Sequence, residues 1–270
     1  MLELHGIRKT FNAGTVNEVR ALQGIDLSIE KGSFVVVLGT NGSGKSTLLN
    51  AVAGSFFVDE GTISLSGQNI TNWKEHQRAK LIGRVFQSPF SGTAPHMSIA
   101  ENFALAARRG KHRGLSWALS PKLMHGLRDR VATLRMGLEN RLDNAMGSLS
   151  GGQRQALTLL MATWLEPQLL LLDEHTAALD PKSADQVIRL TEEVVSRDQL
   201  TTLMVTHSMQ QAVNLGDRLI MMHRGQILHD LRGADKARLR VEDLLSRFEE
   251  IRRREQLDES AALMLSERYV

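Results

Sequence analysis

The alternation of apolar and polar residues predicts a protein built from both strands and helices. Phe34–Leu38 is an uninterrupted apolar run, which is typical of a strand buried on both faces, and Leu169–Leu172 is a second run of this kind. Ile25–Ile29 instead alternates between apolar and polar residues, which predicts a strand with one face in water. That pattern fits an antiparallel hairpin with the earlier strand Leu2–Ile7.

The second half of the chain alternates strand and helix signals. Leu169–Leu172, Thr202–Val205 and Leu219–Met222 have strand character, and Pro181–Arg197 has helical periodicity between the first two. Proline is tolerated in a first helical turn, and Asp180 before it is a candidate N-cap. The order strand, helix, strand predicts a parallel sheet.

The middle of the chain has helical periodicity and few strand signals. Apolar residues recur there at spacings of three and four, which predicts helices over Ser98–Arg108, Lys122–Leu138 and Gly152–Leu165. We therefore expect a helical subdomain inserted over about 88–164 into a core formed by 1–87 and 165–230. Beyond 230 the residues are largely charged, with leucines at helical spacing, which predicts a charged helical tail over 231–270. A dimer contact, a regulatory helix and a solvated appendage are the open roles of this tail.

Composition excludes several classes of protein. A chain of 270 residues is long enough to bury a full core, and the absence of cysteine excludes disulfides and thiolate metal sites. The 33 basic and 30 acidic residues leave a net charge of only +3. The basic clusters at 108–113 and 252–254 lack the interleaved aromatic residues that stack on bases. We therefore expect no nucleic-acid partner.

Neither a secretion signal nor a membrane span is expected. Residues 1–6 lack the basic and apolar segments of a secretion signal. Every apolar run is far shorter than the roughly 20 residues that a membrane span requires. Any contact with a membrane is therefore expected to be peripheral.

A glycine-rich stretch directly follows the first buried strand. It fits the phosphate-binding pattern G-x-x-x-x-G-K-[ST] and consists of Gly39, Thr40, Asn41, Gly42, Ser43, Gly44, Lys45, Ser46 and Thr47. Its glycines allow backbone angles that turn successive N–H groups toward a phosphate. In this pattern Lys45 reaches the β- and γ-phosphates and Ser46 offers its hydroxyl to Mg²⁺. We therefore expect the chain to bind a nucleoside triphosphate.

Two carboxylates follow the second buried strand. Asp173 and Glu174 come directly after Leu169–Leu172, at the end of a strand where open α/β sheets bind ligands. Asp173 would orient Mg²⁺, and Glu174 would polarise a water for attack on the γ-phosphorus. An acidic pair at a strand end is otherwise often only solvated, and the phosphate-binding stretch favours the catalytic interpretation.

The run Leu149-Ser150-Gly151-Gly152-Gln153 begins the third predicted helix of the middle segment. A helix N-terminus presents free amides to an anion. Most Ser-Gly-Gly sequences are flexible linkers, so this signal is weak without its context.

Taken together, the motifs resemble the ATP-binding subunit of an ABC transporter over roughly residues 1–230. They occur in the family's order: Walker A at Gly39–Thr47, the Q-loop Gln87, LSGGQ at Leu149–Gln153, Walker B ending at Asp173-Glu174, a D-loop at Ala178-Leu179-Asp180 and the switch histidine His207. The resemblance implies an α/β fold: a P-loop NTPase (RecA-like) core with an antiparallel β subdomain and an inserted α-helical subdomain. It also implies ATP and Mg²⁺ as cofactors.

The same resemblance implies a head-to-tail homodimer in which each ATP lies between Walker A of one copy and LSGGQ of the other. Ser150, Gly151, Gly152 and Gln153, with Asp180 of the D-loop, would complete the nucleotide site across the seam. His207 would form a hydrogen bond with the γ-phosphate of the ATP bound to Walker A of its own chain. The implied catalytic residues are Lys45, Gln87, Glu174 and His207, and the implied metal contacts are Ser46, Gln87 and Asp173. Phe11 would stack on adenine, with packing at a strand end as the alternative.

One position departs from the family's pattern, because His175 stands where a proline usually follows the catalytic glutamate. Its two interpretations are a neutral structural substitute and a titratable group that tunes Glu174 or the dimer seam.

The motifs of the ATPase do not name a cargo. Leu142–Ser148 lacks the Gly-Glu-x-Gly run usual in exporters, which favours an importer. The sequence His175–Asp180 resembles that of a branch of the family whose members pair with a separate permease and a solute-binding protein, in some cases for tryptophan-like amino acids. We thus expect a peripheral subunit on the cytoplasmic face of the cell membrane. An exporter of the lipoprotein type and a soluble scaffold ATPase for iron–sulfur assembly are the alternatives.

In the family, a groove beside the Q-loop receives a coupling helix of the permease. Here it would lie near Gln87–Asn102, with Phe90, Met97 and Ile99 exposed to the permease. The alternative is that Ile99 and Phe103 belong to the core of a helix.

Overall fold

The computed structural model describes residues 1–110, 119–251 and 253. The strands are β1 (Leu2–Phe11), β2 (Val19–Ile29), β3 (Phe34–Gly39), β4 (Glu60–Leu65), β5 (Gln68–Asn69), β6 (Ile82–Val85), β7 (Leu169–Asp173), β8 (Thr201–Thr206), β9 (Arg218–His223) and β10 (Gln226–Arg232). The helices are α1 (Lys45–Ala53), α2 (Glu75–Arg78), α3 (Ile99–Ala107), α4 (Pro121–Ala132), α5 (Gly151–Thr163), α6 (Pro181–Arg197), α7 (Met209–Asn214) and α8 (Gly233–Ala237), with a 3₁₀ turn at Met146–Ser148. A further helix covers residues 241–251.

The strands form two sheets. The smaller sheet is antiparallel, in the order β2-β1-β4-β5, and the larger has the order β10-β9-β3-β8-β7-β6. In the larger sheet β3, β6, β7, β8 and β9 run parallel to one another, and β10 pairs antiparallel with β9 at the edge. The predicted α/β fold, with a parallel core sheet and an antiparallel hairpin, is confirmed.

The alternation of side chains along β3 explains why its sequence is apolar throughout. Val35 and Val37 pack with α1 and the antiparallel sheet, while Val36 and Leu38 pack against the helices on the opposite face. A strand with apolar layers on both sides needs no polar face. The phosphate-binding stretch therefore begins from a strand that the core fixes on both sides.

Helix α4 is shorter than predicted. The sequence predicted a helix to Leu138, but α4 ends at Ala132. Arg135 and Gly137 both have positive φ, which interrupts a right-handed helix. Leu134 and Leu138 are buried although they lie beyond the helix, so their helical spacing reflects core packing in a loop.

The boundary predicted at 230 lies inside a strand. β10 runs to Arg232 and is part of the main sheet, so the segment from 231 does not begin as a helical tail. In the helix 241–251, Leu244 and Phe248 are buried in the same apolar cluster as α5 and α6. The described part of the predicted tail is therefore part of the fold and not a solvated appendage.

Candidate functional site

The glycine-rich stretch lies between β3 and α1 and is tightly packed. Gly42 and Gly44 have φ values of +77° and +98°, which side chains disfavour. A Cβ at Gly39 would collide with the carbonyl oxygen of Met222, and one at Gly44 would lie 2.5 Å from that of Ala21. Close backbone approach thus requires glycine at 39, the backbone angle favours it at 42, and both reasons apply at 44.

A buried ammonium group lies inside this loop. Lys45 is 5% exposed, and its Nζ donates hydrogen bonds to the carbonyl oxygens of Gly39 (2.8 Å) and Thr40 (2.9 Å). Burial lowers the pKa of Lys45, and the carboxylates of Glu174 and Asp173 oppose that shift. Ser43 Oγ is buried and has no hydrogen-bond partner among the described residues. An anionic phosphate at this loop would satisfy both groups.

Asp173 ends β7 beside the phosphate-binding loop. Burial raises the pKa of its carboxyl, and the neighbouring Arg84 and the hydroxyl of Ser46 act in the opposite direction. The hydroxyl of Ser46 therefore lies close enough to the carboxylate of Asp173 to affect its pKa. Two hard oxygen donors next to a phosphate site are the ligands that Mg²⁺ prefers, so the residues present fit this ion.

Glu174, His207 and Gln87 converge although they come from three different loops. Glu174 Oε2 lies 3.1 Å from His207 Nδ1 and 3.4 Å from Gln87 Nε2. A carboxylate can only accept hydrogen bonds, so His207 carries a proton on Nδ1. The arrangement places a potential base beside a polarisable ring and an amide, as hydrolysis of a phosphoanhydride requires.

Arg84, which was not predicted from the sequence, joins both halves of the site. Its Nη2 donates to Asn50 Oδ1 in α1 (2.6 Å) and to Asp173 Oδ2 (3.4 Å), and its Nη1 donates to Ser55 Oγ (3.1 Å). The guanidinium also lies 4.5 Å from the centroid of the Phe86 ring. The sequence feature that could have indicated Arg84 is its charge within the otherwise uncharged strand β6, three residues before the Q-loop glutamine.

His175 is 1% exposed, so its ring is buried and not accessible from the site. Its Nε2 lies 3.0 Å from Thr191 Oγ1 in α6, and burial lowers the pKa of His175 to about 4. The buried ring is therefore uncharged near pH 7, which argues against His175 tuning Glu174 through its own charge. Its contact with Thr191, sixteen residues further along the chain, was not predictable from local sequence.

The LSGGQ run forms the start of α5. Ser150 is the N-cap, its Oγ accepts from Gln153 N (3.2 Å), and Gln153 Oε1 accepts from Ser150 N (3.2 Å). A Cβ at Gly152 would lie 2.7 Å from the Cβ of Ser183 in α6, so this glycine allows two helices to pack closely. Ser150 and Gly151 are exposed, and the helix start is therefore accessible to another molecule.

The D-loop leads into α6. Asp180 is exposed and caps this helix, since its Oδ1 accepts from Ser183 N (3.0 Å). The hydrogen bonds from Ser183 hold the pKa of Asp180 below its usual range. The predicted N-cap is confirmed.

Phe11 ends β1 and is 36% exposed. Its ring makes an edge contact with Phe56 at 5.4 Å between centroids, and Lys9 Nζ lies 5.6 Å from its centroid. The residue is accessible to a planar ring, so its stacking on adenine stays a prediction.

A cleft of about 1310 Å³ lies beside the Q-loop, lined partly by Phe86, Asn102 and Leu105. Phe90 and Leu105 are 59% and 57% exposed. The expectation for Ile99 was wrong, because Ile99 is fully buried, as is Phe103. Ser98 caps α3 and directs Ile99 inward, so these two residues belong to the helix core.

The α/β fold, with a phosphate-binding loop after β3 beside the carboxylates at the end of β7, defines a nucleoside-triphosphatase. Comparison with known proteins defines its family. The family model described as ABC transporter matches residues 22–177. A tyrosine transport ATP-binding protein of Clostridioides difficile is 41% identical over 249 residues, which cover 92% of this chain and 99% of that protein. A lipoprotein-releasing system ATP-binding protein of Caulobacter vibrioides is 36% identical over 225 residues, which cover 82% and 92%.

Solved structures agree with this result. The dimeric post-hydrolysis state of the ATP-binding cassette MJ0796, bound to ADP and Pi, matches with a TM-score of 0.73 and 26% identity, over 86% of this chain and 98% of that one. The ADP conformation of the cassette MJ1267 matches with a TM-score of 0.75 and 27% identity, over 91% and 94%. The chain therefore belongs to the ATP-binding subunits of ABC transporters, which hydrolyse ATP. None of its described helices has the length and apolar character needed to cross a bilayer.

Proposed function

We propose that this subunit powers the uptake of a small solute, such as an amino acid, by a separate permease that works with a solute-binding protein. The observation that carries the proposal is the 41% identity to a tyrosine transport ATP-binding protein along nearly the full length of both chains. The absence of an exporter-type Gly-Glu-x-Gly run in Leu142–Ser148 supports the same direction of transport. The subunit would lie peripherally on the cytoplasmic face of the membrane.

In the proposed reaction, the chain's own residues position ATP and the attacking water. The buried ammonium of Lys45 and the loop amides bind the phosphates, and Phe11 stacks on adenine. Ser46 and Asp173, with Gln87, would hold Mg²⁺, which neutralises phosphate charge when bound. Glu174 accepts the proton of the attacking water as it approaches the γ-phosphorus, and His207 and Gln87 orient that carboxylate.

The complete site is proposed to need two copies of the chain, arranged head to tail. Ser150 and Gly151 are exposed at the start of α5, where the backbone amides of a helix N-terminus can bind an anion. Binding of two ATP molecules in the seam would close the dimer, and hydrolysis would reopen it. The two copies thus bind each other more tightly with ATP than after hydrolysis, and this difference in affinity provides the work done on the permease.

The permease contact is proposed at the cleft beside the Q-loop. Phe90 and Leu105 are exposed apolar residues near it, and Gln87 leads from the cleft to Glu174. An inserted permease segment would therefore sense the state of the catalytic carboxylate through one short loop.

A lipoprotein-releasing function is the second candidate, because relatives of that name are 32% to 36% identical over more than 80% of this chain. Reconstitution of the chain with its permease in proteoliposomes separates the two. We expect ATP supplied on the side of the subunit to drive transport of labelled tyrosine or tryptophan toward that same side of the membrane. The Glu174→Gln variant should abolish this transport. Release of a lipoprotein, with no amino-acid uptake, would contradict the proposal.

A further inference from the structure

Glu174 has an unusual backbone conformation. Its φ is +43°, in the left-handed region, which is unfavourable for a residue with a side chain. Such a conformation persists only where the surrounding structure fixes it on both sides. On the N-terminal side, Asp173 pairs with Val205 in the sheet and the N–H of Glu174 donates to the carbonyl of Val205 (3.0 Å).

The C-terminal side is fixed by the residue that follows. The ring of His175 is buried, with Nε2 3.0 Å from Thr191 Oγ1. The hydroxyl of Thr191 donates its single proton to the carbonyl of Val187 (2.8 Å). Thr191 Oγ1 must therefore accept from His175, which assigns the proton of the imidazole to Nε2.

We propose that His175 is a positioning residue for ATP hydrolysis: its Nε2–H bond to Thr191 anchors the Glu174 turn to α6. The anchor keeps the Glu174 carboxylate beside His207 and Gln87. The inference rests on the proposed role of Glu174 as the base.

The cost of losing the anchor follows from burial. Rotation of Glu174 to an ordinary φ would withdraw the His175 ring from its pocket and leave a buried donor and a buried acceptor without partners, which is costly. The carboxylate needs only a small displacement to lose its alignment, since misplacement by about 1 Å can cost up to 10²-fold in rate. The anchor thus affects turnover more than it affects binding at the separate phosphate loop.

Helix α5 offers a matched control. Thr163 is also buried in a helix, and its Oγ1 likewise donates to the carbonyl one turn earlier, that of Leu159 (3.0 Å). Thr191→Val and Thr163→Val therefore remove the same helical hydrogen bond. Only the first also removes the partner of an imidazole.

The experiment measures ATP hydrolysis by the full chain. We expect Thr191→Val to lower kcat about tenfold with KM for ATP changed less than about twofold, while Thr163→Val retains kcat. His175→Gln keeps a donor near the position of Nε2, and His175→Leu keeps only volume. We expect the glutamine variant to retain several-fold more activity than the leucine variant. Thermal unfolding of each variant reports any loss of folded protein.

A double-mutant measurement decides whether the effect passes through Glu174. In a Glu174→Gln background, Thr191→Val should cause no further loss of the residual rate. Equal effects of the two threonine variants on kcat, or a tenfold loss in that background as well, would overturn the anchor alone. Equal rates for the wild type and Glu174→Gln would overturn the role of Glu174 itself, and with it both the proposed mechanism and the anchor.

Discussion

At the scale of residues, the proposed chemistry depends on Glu174, which accepts hydrogen bonds from two different loops. His207 and Gln87 both reach its Oε2, so side chains from two other loops hold the carboxylate in place. Lys45 instead lies in the phosphate loop, bonded to backbone carbonyls. The groups proposed to bind phosphate and the group proposed to activate water are therefore separate.

This separation predicts that Glu174→Gln lowers turnover by at least about 10²-fold while nucleotide affinity changes little, because the amide cannot accept the proton of water. Phosphate release and the affinity for a fluorescent ATP analogue measure the two effects. Glu192→Gln, at an exposed position of α6, is the control and should hydrolyse ATP at the wild-type rate. A parallel loss of affinity in Glu174→Gln would contradict the separation.

Arg84 has a different role, because it compensates a buried charge. Its side chain and that of Asp173 are 13% and 14% exposed. We expect Arg84→Met to lower the free energy of unfolding by about 3 kcal/mol, since the largely buried carboxylate of Asp173 loses its arginine partner. Chemical denaturation measures the change.

Arg20→Met is the matched control, because Arg20 pairs with Glu18 at a side-chain exposure of 72%. That variant should change the free energy of unfolding by less than about 1 kcal/mol. Equal effects of the two arginine variants would show that burial does not distinguish them.

At the scale of elements, β10 joins the main sheet to the antiparallel sheet. Arg218 in β9 donates from Nε and Nη2 to the two carboxylate oxygens of Asp230 in β10, each at 2.7 Å, and from Nη1 to the carbonyl of Ser28 in β2. Burial would raise the pKa of Asp230, but the hydrogen bonds from Arg218 and Arg232 outweigh it and hold the pKa well below its usual range.

A lowered pKa in the folded state stabilises the protein above the pKa of the unfolded chain, and that stability is lost as the pH falls below about 4. We expect Asp230→Asn to cost about 2 kcal/mol at pH 7, less than a fully buried pair because the Asp230 side chain is 32% exposed. The difference from wild type should shrink in denaturant melts toward pH 3. The exposed Asp143→Asn serves as the control, and a difference that is constant with pH would contradict the assignment.

The sequence predicted those elements whose signals are local. The runs Phe34–Leu38 and Leu169–Leu172 and the helix Pro181–Arg197 lie where expected, because strand burial and a helix cap are encoded by adjacent residues. The pairs Arg84–Asp173 and His175–Thr191 were not predictable, since their partners come from other elements. Leu138 was misassigned to a helix because apolar spacing does not distinguish a helix from a buried loop.

At the scale of the whole molecule, the start of α5 lies exposed on the surface of the single chain. Ser150 and Gln153 cap each other, and Ser150 and Gly151 remain accessible. Hydrolysis in the proposed dimer requires this helix start to meet the phosphate loop of a second copy. A variant that binds ATP without hydrolysing it should therefore accumulate the closed dimer.

We expect full-length Glu174→Gln to elute as a dimer in saturating ATP and Mg²⁺ and as a monomer without nucleotide. Addition of Ser150→Arg should abolish the dimer, because a bulky cation would occupy the anion-binding helix start, while ATP affinity in the phosphate loop persists. Ser196→Arg, on an exposed position near the other end of α6, should dimerise normally. Size-exclusion chromatography with light scattering measures the masses. A dimer that tolerates Ser150→Arg would show that the seam lies elsewhere, whereas loss of ATP binding in that variant would place Ser150 in the site of its own chain.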